Sequence, residues 1–340
     1  VASPLDFDYR DGGLHFPRLG LWMDPHRAIR SGEWVFVSHA HADHTARHSA
    51  VILTESTRRL MRSRVPGERV EQVLDFGVPI HSDELTPAMS GAHYRLSLHP
   101  AGHVLGSAMA RVESDGDSLL YTGDFKMRAG RSCETCQPVH ARTLVMETTY
   151  GRPRYVFPPT EEVIASVIRF CRDSIAAGAT PVLLAYSLGK GQEILAALLE
   201  SELPIQLHSS SARMTEIYAG LGCRFPVWSP LDPETARGHV VISPTARPLL
   251  SAQPRIGPLK IASLSGWALD GRRNAPDGSQ HRFALSDHAD FPDLLRFVEA
   301  VQPERVFTLH GFASEFARHL RRQGVTAFAL SEDDQLELAL

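Results

Sequence analysis

The 340 residues carry 35 basic and 39 acidic side chains, a formal charge of −4. That length allows one large domain or two ordinary ones with a substantial core. The near balance of charge argues against a protein that coats nucleic acid through overall basicity, so any nucleic-acid partner must be held by a local patch.

No apolar run is long enough to span a bilayer, and no signal-peptide pattern opens the chain, so no membrane partner is expected. Four cysteines in this length speak against a disulfide framework and fit a reducing cytoplasm. Cys133-Glu-Thr-Cys136 lacks two further ligands for a structural zinc and reads as incidental. Arginines gather near Arg58 to Arg69, near Arg128 to Arg131 and at Arg272-Arg273; each run taken singly reads as solvated surface.

In chain order, short apolar runs predict strands at Val35–Val37, Tyr94–Leu98, Leu119–Tyr121, Leu144–Met146, Val182–Ala185, Ile205–Leu207, His239–Ile242, Ile261–Leu264, Phe283–Leu285, Val306–Leu309 and Ala327–Leu330. Gly, Pro and Asp turns between the early runs predict hairpins. The clearest helix has Thr160 as its N-cap, acids at Glu161 and Glu162, an apolar face of Val163, Ile164, Val167, Ile168 and Cys171, and Gly178 as its stop. Further helices are predicted over Gln192–Leu199 and Arg213–Ala219. This βα alternation, flanked by β-rich chain, predicts a small parallel-sheet unit inserted into a larger domain.

The stretch Ser38-His-Ala-His-Ala-Asp-His44 follows the first of these strands. Two imidazoles and a carboxylate in one loop are costly to bury alone, and a divalent metal is their natural partner. The same pattern returns at four other strand ends: His103, Asp124, Ser286-Asp287-His288 and His310. Strand ends converging on one rim could place His39, His41 and His103 on one ion and Asp43, His44 and His310 on a second. Asp124 could bridge them. Such a pair of ions suits a phosphoryl centre, with a shared hydroxide as nucleophile.

His99, His48, His15 and His26 read as ordinary histidines outside the site. After His208, a serine N-cap is the favoured reading. Asp290 reads as the cap of a helix beginning near Phe291, and Trp267 as a core residue.

These motifs resemble a known family. His39-x-His41-x-Asp43-His44, Ala-Gly-His103-Val-Leu-Gly-Ser and Thr-Gly-Asp124 are similar to the metal signature of the metallo-β-lactamase fold. Glu147-Thr-Thr-Tyr-Gly, Ser-Asp-His288-Ala-Asp and Leu-His310-Gly resemble motifs A, B and C of the β-CASP nucleases. Over nearly the whole chain the pattern looks like that of bacterial ligase-associated DNA exonucleases.

The resemblance implies an α/β fold, an αββα metallo-β-lactamase sandwich of two mixed sheets with a small inserted β-CASP-like α/β domain. The expected division is 1–159 for the first part, 160–265 for the insert and 266–340 for the return segment. It implies the same ligand partition, with zinc the expected ion and manganese compatible with the carboxylates. Asp43, His288 and Glu147 are implied in catalysis: His288 would protonate the leaving oxygen, and Glu147 would orient it or brace the ligands. Ser187, Lys190 and Ser209 are candidate substrate contacts.

The expected activity is a DNA exonuclease acting at the 5′ end with single-strand preference, in DNA repair alongside a DNA ligase and helicase. Histidine at motif C matches RNA-cutting relatives, which makes an RNA-processing ribonuclease the alternative. A catalytically silent binding protein and a thioester or lactone hydrolase are the further rivals, opposed respectively by the intact ligand set and by motifs A and B.

Overall fold

The computed structural model describes residues 3–86, 91–270 and 281–330. Arg272-Arg273 therefore lie outside the described residues. The chain divides into two compact units, one of residues 1–129, 133–154 and 288–340, the other of residues 130–132 and 155–287.

The first unit opens with six strands in sequential order: β1 (Asp8–Arg10), β2 (Gly13–Phe16), β3 (Leu21–Met23), β4 (Trp34–Phe36), β5 (Ala50–Leu53) and β6 (Val70–Val73). The hairpin expectation holds for β1–β3, which pair antiparallel. It fails for β3 through β6, which run parallel, because the histidine loop and helix α1 (Glu55–Arg64) carry the chain back between them.

A second sheet follows: β7 (Ile80–His81), β8 (Arg95–Pro100), β9 (Ala108–Ser114), β10 (Asp117–Tyr121) and β11 (Thr143–Glu147). Strands β8 to β10 form antiparallel hairpins, and β11 lies parallel to β10.

The chain then enters the second unit. Helix α2 (Thr160–Ala176), β12 (Thr180–Leu184), α3 (Lys190–Ala197), β13 (Ile205–Leu207), α4 (Ser209–Ala219), β14 (Ser229–Pro230), β15 (Val240–Ser243), α5 (Arg247–Ile256), β16 (Leu259–Leu264) and β17 (His281–Phe283) succeed one another. Every pairing in its sheet is parallel, ordered β14-β13-β15-β12-β16-β17, as the βα alternation predicts. This unit extends past residue 265 because β17 hydrogen-bonds to β16. The edge strand stops at Phe283, two residues short of the expected Leu285. Its outlying piece at residues 130–132 is tied in by Glu193, which accepts from the Arg131 and Ser132 amides.

Helix α6 (Phe291–Val301), β18 (Arg305–Leu309), α7 (Ala313–Arg322) and β19 (Ala327–Ala329) return to the first unit, where β18 pairs parallel with β11.

Alternation along the central strands builds the layers of the first unit. Leu119, Tyr121 and Val145 join Phe16, Phe36 and Ile52 between the two sheets. Leu120, Leu144 and Met146 face the other way and meet Leu294, Phe297, Phe316 and Leu320 of α6 and α7.

Several local expectations need correction. Helix α2 begins at Thr160 itself, with Pro159 at the cap position and no side-chain bond. Helix α3 begins two residues early because Gly189, at φ 92°, starts the turn and the Gln192 side chain accepts from its amide. His208, rather than a serine, caps α4 by accepting from the Ser210 amide. His15 is a buried strand residue bonded at 2.7 Å to Glu33, which stands just before β4. Trp267 is 39% exposed and meets Tyr155 edge-on. Asp290 does cap α6, accepting from the Asp293 amide at 3.0 Å.

Candidate metal centre

Strands β8, β10, β11 and β18 share one direction, so their C-terminal ends fall on one rim. The loop after β4 joins that rim through the Ala108 amide, which donates to Ser38 O at 2.9 Å. Close approach demands glycine here. A Cβ on Gly123, at φ 52°, would stand 2.6 Å from the Ser38 side chain, and one on Gly311, at φ 59°, 2.4 Å from Thr149 Cα.

One ligand atom from each of His39, His41, His103 and Asp124 lies within 4.8 Å of the others. The His39 Nε2 to His41 Nδ1 distance is 3.0 Å and His103 Nε2 to His41 Nδ1 is 3.1 Å. Asp124 Oδ2 is 3.6 Å from His39 Nε2 and 3.8 Å from His103 Nε2. Tetrahedral bonds of about 2.0–2.1 Å to zinc would set ligand atoms roughly 3.3 Å apart, so this donor set fits such an ion.

The neighbouring set is more open. Asp124 Oδ2 also lies 3.4 Å from His44 Nε2, and Asp43 Oδ2 is 3.9 Å from the same nitrogen, with its side chain 70% exposed. The His310 ring is centred 6.2 Å from that of His44 and 6.3 Å from that of His26, and its backbone sits at φ 58°.

Charge follows burial and contact. Burial and three neighbouring imidazoles hold His39 well below the ordinary histidine range, leaving its lone pair free. His310 is also lowered, chiefly by burial. Burial opposes the charged form of His44, yet Asp124 and Asp24 outweigh it and hold that imidazole well above its usual value. Burial would raise Asp124, but His44 keeps it well below the carboxylate range. Asp124 is thus held ionised, and His44 must release a proton before its nitrogen can take an ion.

Glu147, buried at the end of β11, accepts from His288 Nδ1 at 2.8 Å and from the Phe125 and Thr149 amides at 3.1 Å each. The His288 ring stands 4.6 Å from that of His103, and its side chain is 21% exposed. Asp124, Glu147 and His288 form a further cluster of convergent donors.

Sequence reasoning missed Asp24. It is buried just after β3 and accepts from the Ser38 amide at 2.8 Å, the Ser38 hydroxyl at 2.5 Å, the Tyr121 hydroxyl at 3.1 Å and His44 Nδ1 at 2.9 Å. It thereby fixes which His44 nitrogen faces the centre. The available signal was the same one used elsewhere: a carboxylate directly after a buried apolar strand.

The Cys133–Cys136 segment keeps its cysteines as thiols and has a local structural role. Cys133 Sγ donates to Gly102 O at 3.3 Å, and Glu134 accepts from the Gly106 amide at 2.8 Å, bracing the turn that carries His103. His99 bonds to the Ser97 hydroxyl at 3.0 Å, and His48 accepts from the Ile29 amide at 3.2 Å; both lie outside the site as read.

Ser187, Lys190 and Ser209 belong to the second unit. Lys190 is buried and pairs with Asp287 at 2.9 Å. Ser187 lends its carbonyl to Gln192, and Ser209 is an exposed residue at the start of α4.

A family profile described as "Zn-dependent metallo-hydrolase RNA specificity domain" matches residues 279–330. The chain is 47% identical over 329 residues to a "Probable DNA ligase" of Opitutus terrae, which covers 96% of this chain and 31% of that protein. It is 26% identical over 217 residues to "RNase aCSPSF2" of Saccharolobus solfataricus, covering 54% of this chain and 42% of that one. The chain thus spans less than half of either relative. A solved protein of unknown function from Enterococcus faecalis V583 shares the fold at a TM-score of 0.62, with 13% identity over 88% of this chain and 79% of that one.

The fold and site define a metallo-hydrolase of mixed α/β architecture. The profile match and these relatives indicate a metallo-β-lactamase/β-CASP nuclease related to ligase-associated enzymes. Among the described residues, no helix is long and apolar enough to cross a membrane.

Proposed function

We propose that the chain is a metal-dependent phosphodiesterase acting as a DNA exonuclease from the 5′ end, with single strands preferred. The observation that carries this reading is the Glu147–His288 pair set beside the four-ligand cluster. The ligand set would suit two divalent ions, most readily zinc, which when bound would supply charge neutralisation at the phosphoryl oxygens and a water of lowered pKa.

His39, His41 and His103 would hold one ion and Asp43, His44 and His310 the other, with Asp124 between. Glu147 accepts the Nδ1 proton of His288, so His288 Nε2 is the atom left to protonate a leaving oxygen. The Phe125 and Thr149 amides fix the Glu147 carboxylate, so the imidazole keeps one orientation. Ser187, Lys190 and Ser209 remain candidate substrate contacts; for Lys190 that role requires exchanging its Asp287 partner. Work beside a DNA ligase or helicase is the matching cellular role; the name of the 47% identical relative supports the ligase alone.

An RNA substrate is the second reading, favoured by His310 and by the description of the profile over residues 279–330. The test is cleavage of matched 5′-labelled and 3′-labelled single-stranded DNA and RNA, with zinc and manganese in parallel. Stepwise shortening of DNA from its 5′ end is expected. Degradation of RNA alone would transfer the chain to the RNA-processing reading, and fast opening of thioesters without nucleic-acid cleavage would overturn both.

A further inference from the structure

The two segments that leave the metal centre at Glu147 and His310 meet again at a cavity of about 330 Å³ in the first unit. Its lining is Gly151, Arg152, Pro153 and Arg154 from the loop after β11, with Glu315, Arg318, His319 and Arg322 from α7. Four guanidiniums thus face one carboxylate, and that carboxylate is already paired with Arg152. The Arg152 guanidinium carbon also lies over the Phe312 ring, 3.9 Å from its centre.

The platform is firmly built. Thr148 donates its hydroxyl to His310 O at 2.7 Å, and the Phe312 amide donates to Thr148 O at 2.9 Å. Gly151 packs so closely that a Cβ would stand 3.0 Å from the Phe316 side chain. Helix-end electrostatics favour basic residues in the last turn of α7. Arg321 meets the local hydrogen-bonding need, donating to Ala327 O at 2.7 Å, and it does not line the cavity. His319 Nε2, buried at the cavity wall, has no hydrogen-bond partner among the described residues.

We infer that this cavity holds a backbone phosphodiester of a single nucleic-acid strand whose other end lies at the metal centre. Guanidinium forks suit phosphate oxygens, and a net excess of arginine in a concave site concentrates polyanions. The chain as a whole carries −4, so attraction for a strand must come from local patches such as this one. The inference deepens the nuclease reading and rests on it for the strand's destination, but its binding step can be measured separately.

The experiment is fluorescence anisotropy of a labelled 20-nucleotide single strand, DNA in one arm and RNA in the other. Metal-free protein is used across a salt series. Wild type is compared with R318Q/R322Q, and with R154Q in case the helix variant fails to fold; thermal melting checks each. Removing two phosphate contacts is expected to weaken binding roughly tenfold and reduce the salt slope by about 1.4.

With metal restored, KM for the strand is expected to rise while kcat stays within about twofold. Folded variants with unchanged affinity and slope for both strands would overturn the inference. A wild type that binds with the full slope yet cleaves neither strand would overturn the nuclease reading and leave this site standing.

Discussion

The two ligand sets proposed for the metal centre differ in how far the protein builds them. His39 and His103 are buried, and their ligand atoms close on those of His41 and Asp124 within 4.8 Å. Across Asp124, the Asp43 side chain is 70% exposed and the His310 ring stands 6.2 Å from that of His44. One half is preorganised by strand ends and a braced turn; the other must gather its outer ligands around an ion. The difference predicts unequal affinities, since ordering a mobile ligand costs free energy that a fixed one does not.

The largest effect should come from the preorganised half. His103→Ala removes a buried ligand and is expected to abolish both tight metal binding and cleavage, read by metal analysis after dialysis and by strand cleavage. A variant that keeps both would show the tight half is misplaced.

Next, His288→Ala should lower kcat by about 10²–10⁴-fold while the ions stay bound. Glu147→Gln should act in the same direction, with an altered pH–rate profile, because an amide offers His288 Nδ1 a weaker acceptor.

Asp24→Asn is expected to weaken metal affinity about 10–100-fold, since the amide places a donor among four donors that now converge on a carboxylate. If the weaker-bound ion is unaffected, Asp24 does not position His44.

The last effect lies away from the centre and touches stability rather than catalysis. Burial pushes His48 down from 6.5 to about 4. Between those values the unfolded chain binds the proton and the folded chain does not, so stability rises with pH across the window. The contribution is full above about 6.5 and is lost toward pH 4, approaching about 3 kcal/mol. His48→Gln should flatten urea-unfolding stability across that window; an unchanged slope would remove His48 as its source.

The convergence of His39, His103 and Asp124 was legible because each ligand-type residue stands within three positions of the end of an apolar strand. His288 was marked by its strand end, but Glu147 and its pairing with His288 were legible only through family resemblance, because 141 residues separate partners that bond at 2.8 Å. Asp24 escaped because it follows β3 as a single carboxylate, with no second ligand-type residue beside it to mark a cluster. Helix α5 was missed because it carries an internal proline, Pro254, and a mixed apolar face. The parallel unit was readable because helices α2, α3 and α4 separate strands of uniform burial.

The most direct measurement is the zinc stoichiometry of wild type and Asp43→Ala, with strand cleavage assayed on the same preparations. The account predicts two bound ions of unequal affinity in wild type, with only the tighter one kept in Asp43→Ala and cleavage lost. An Asp43→Ala protein that binds two ions and cleaves at the wild-type rate would contradict it.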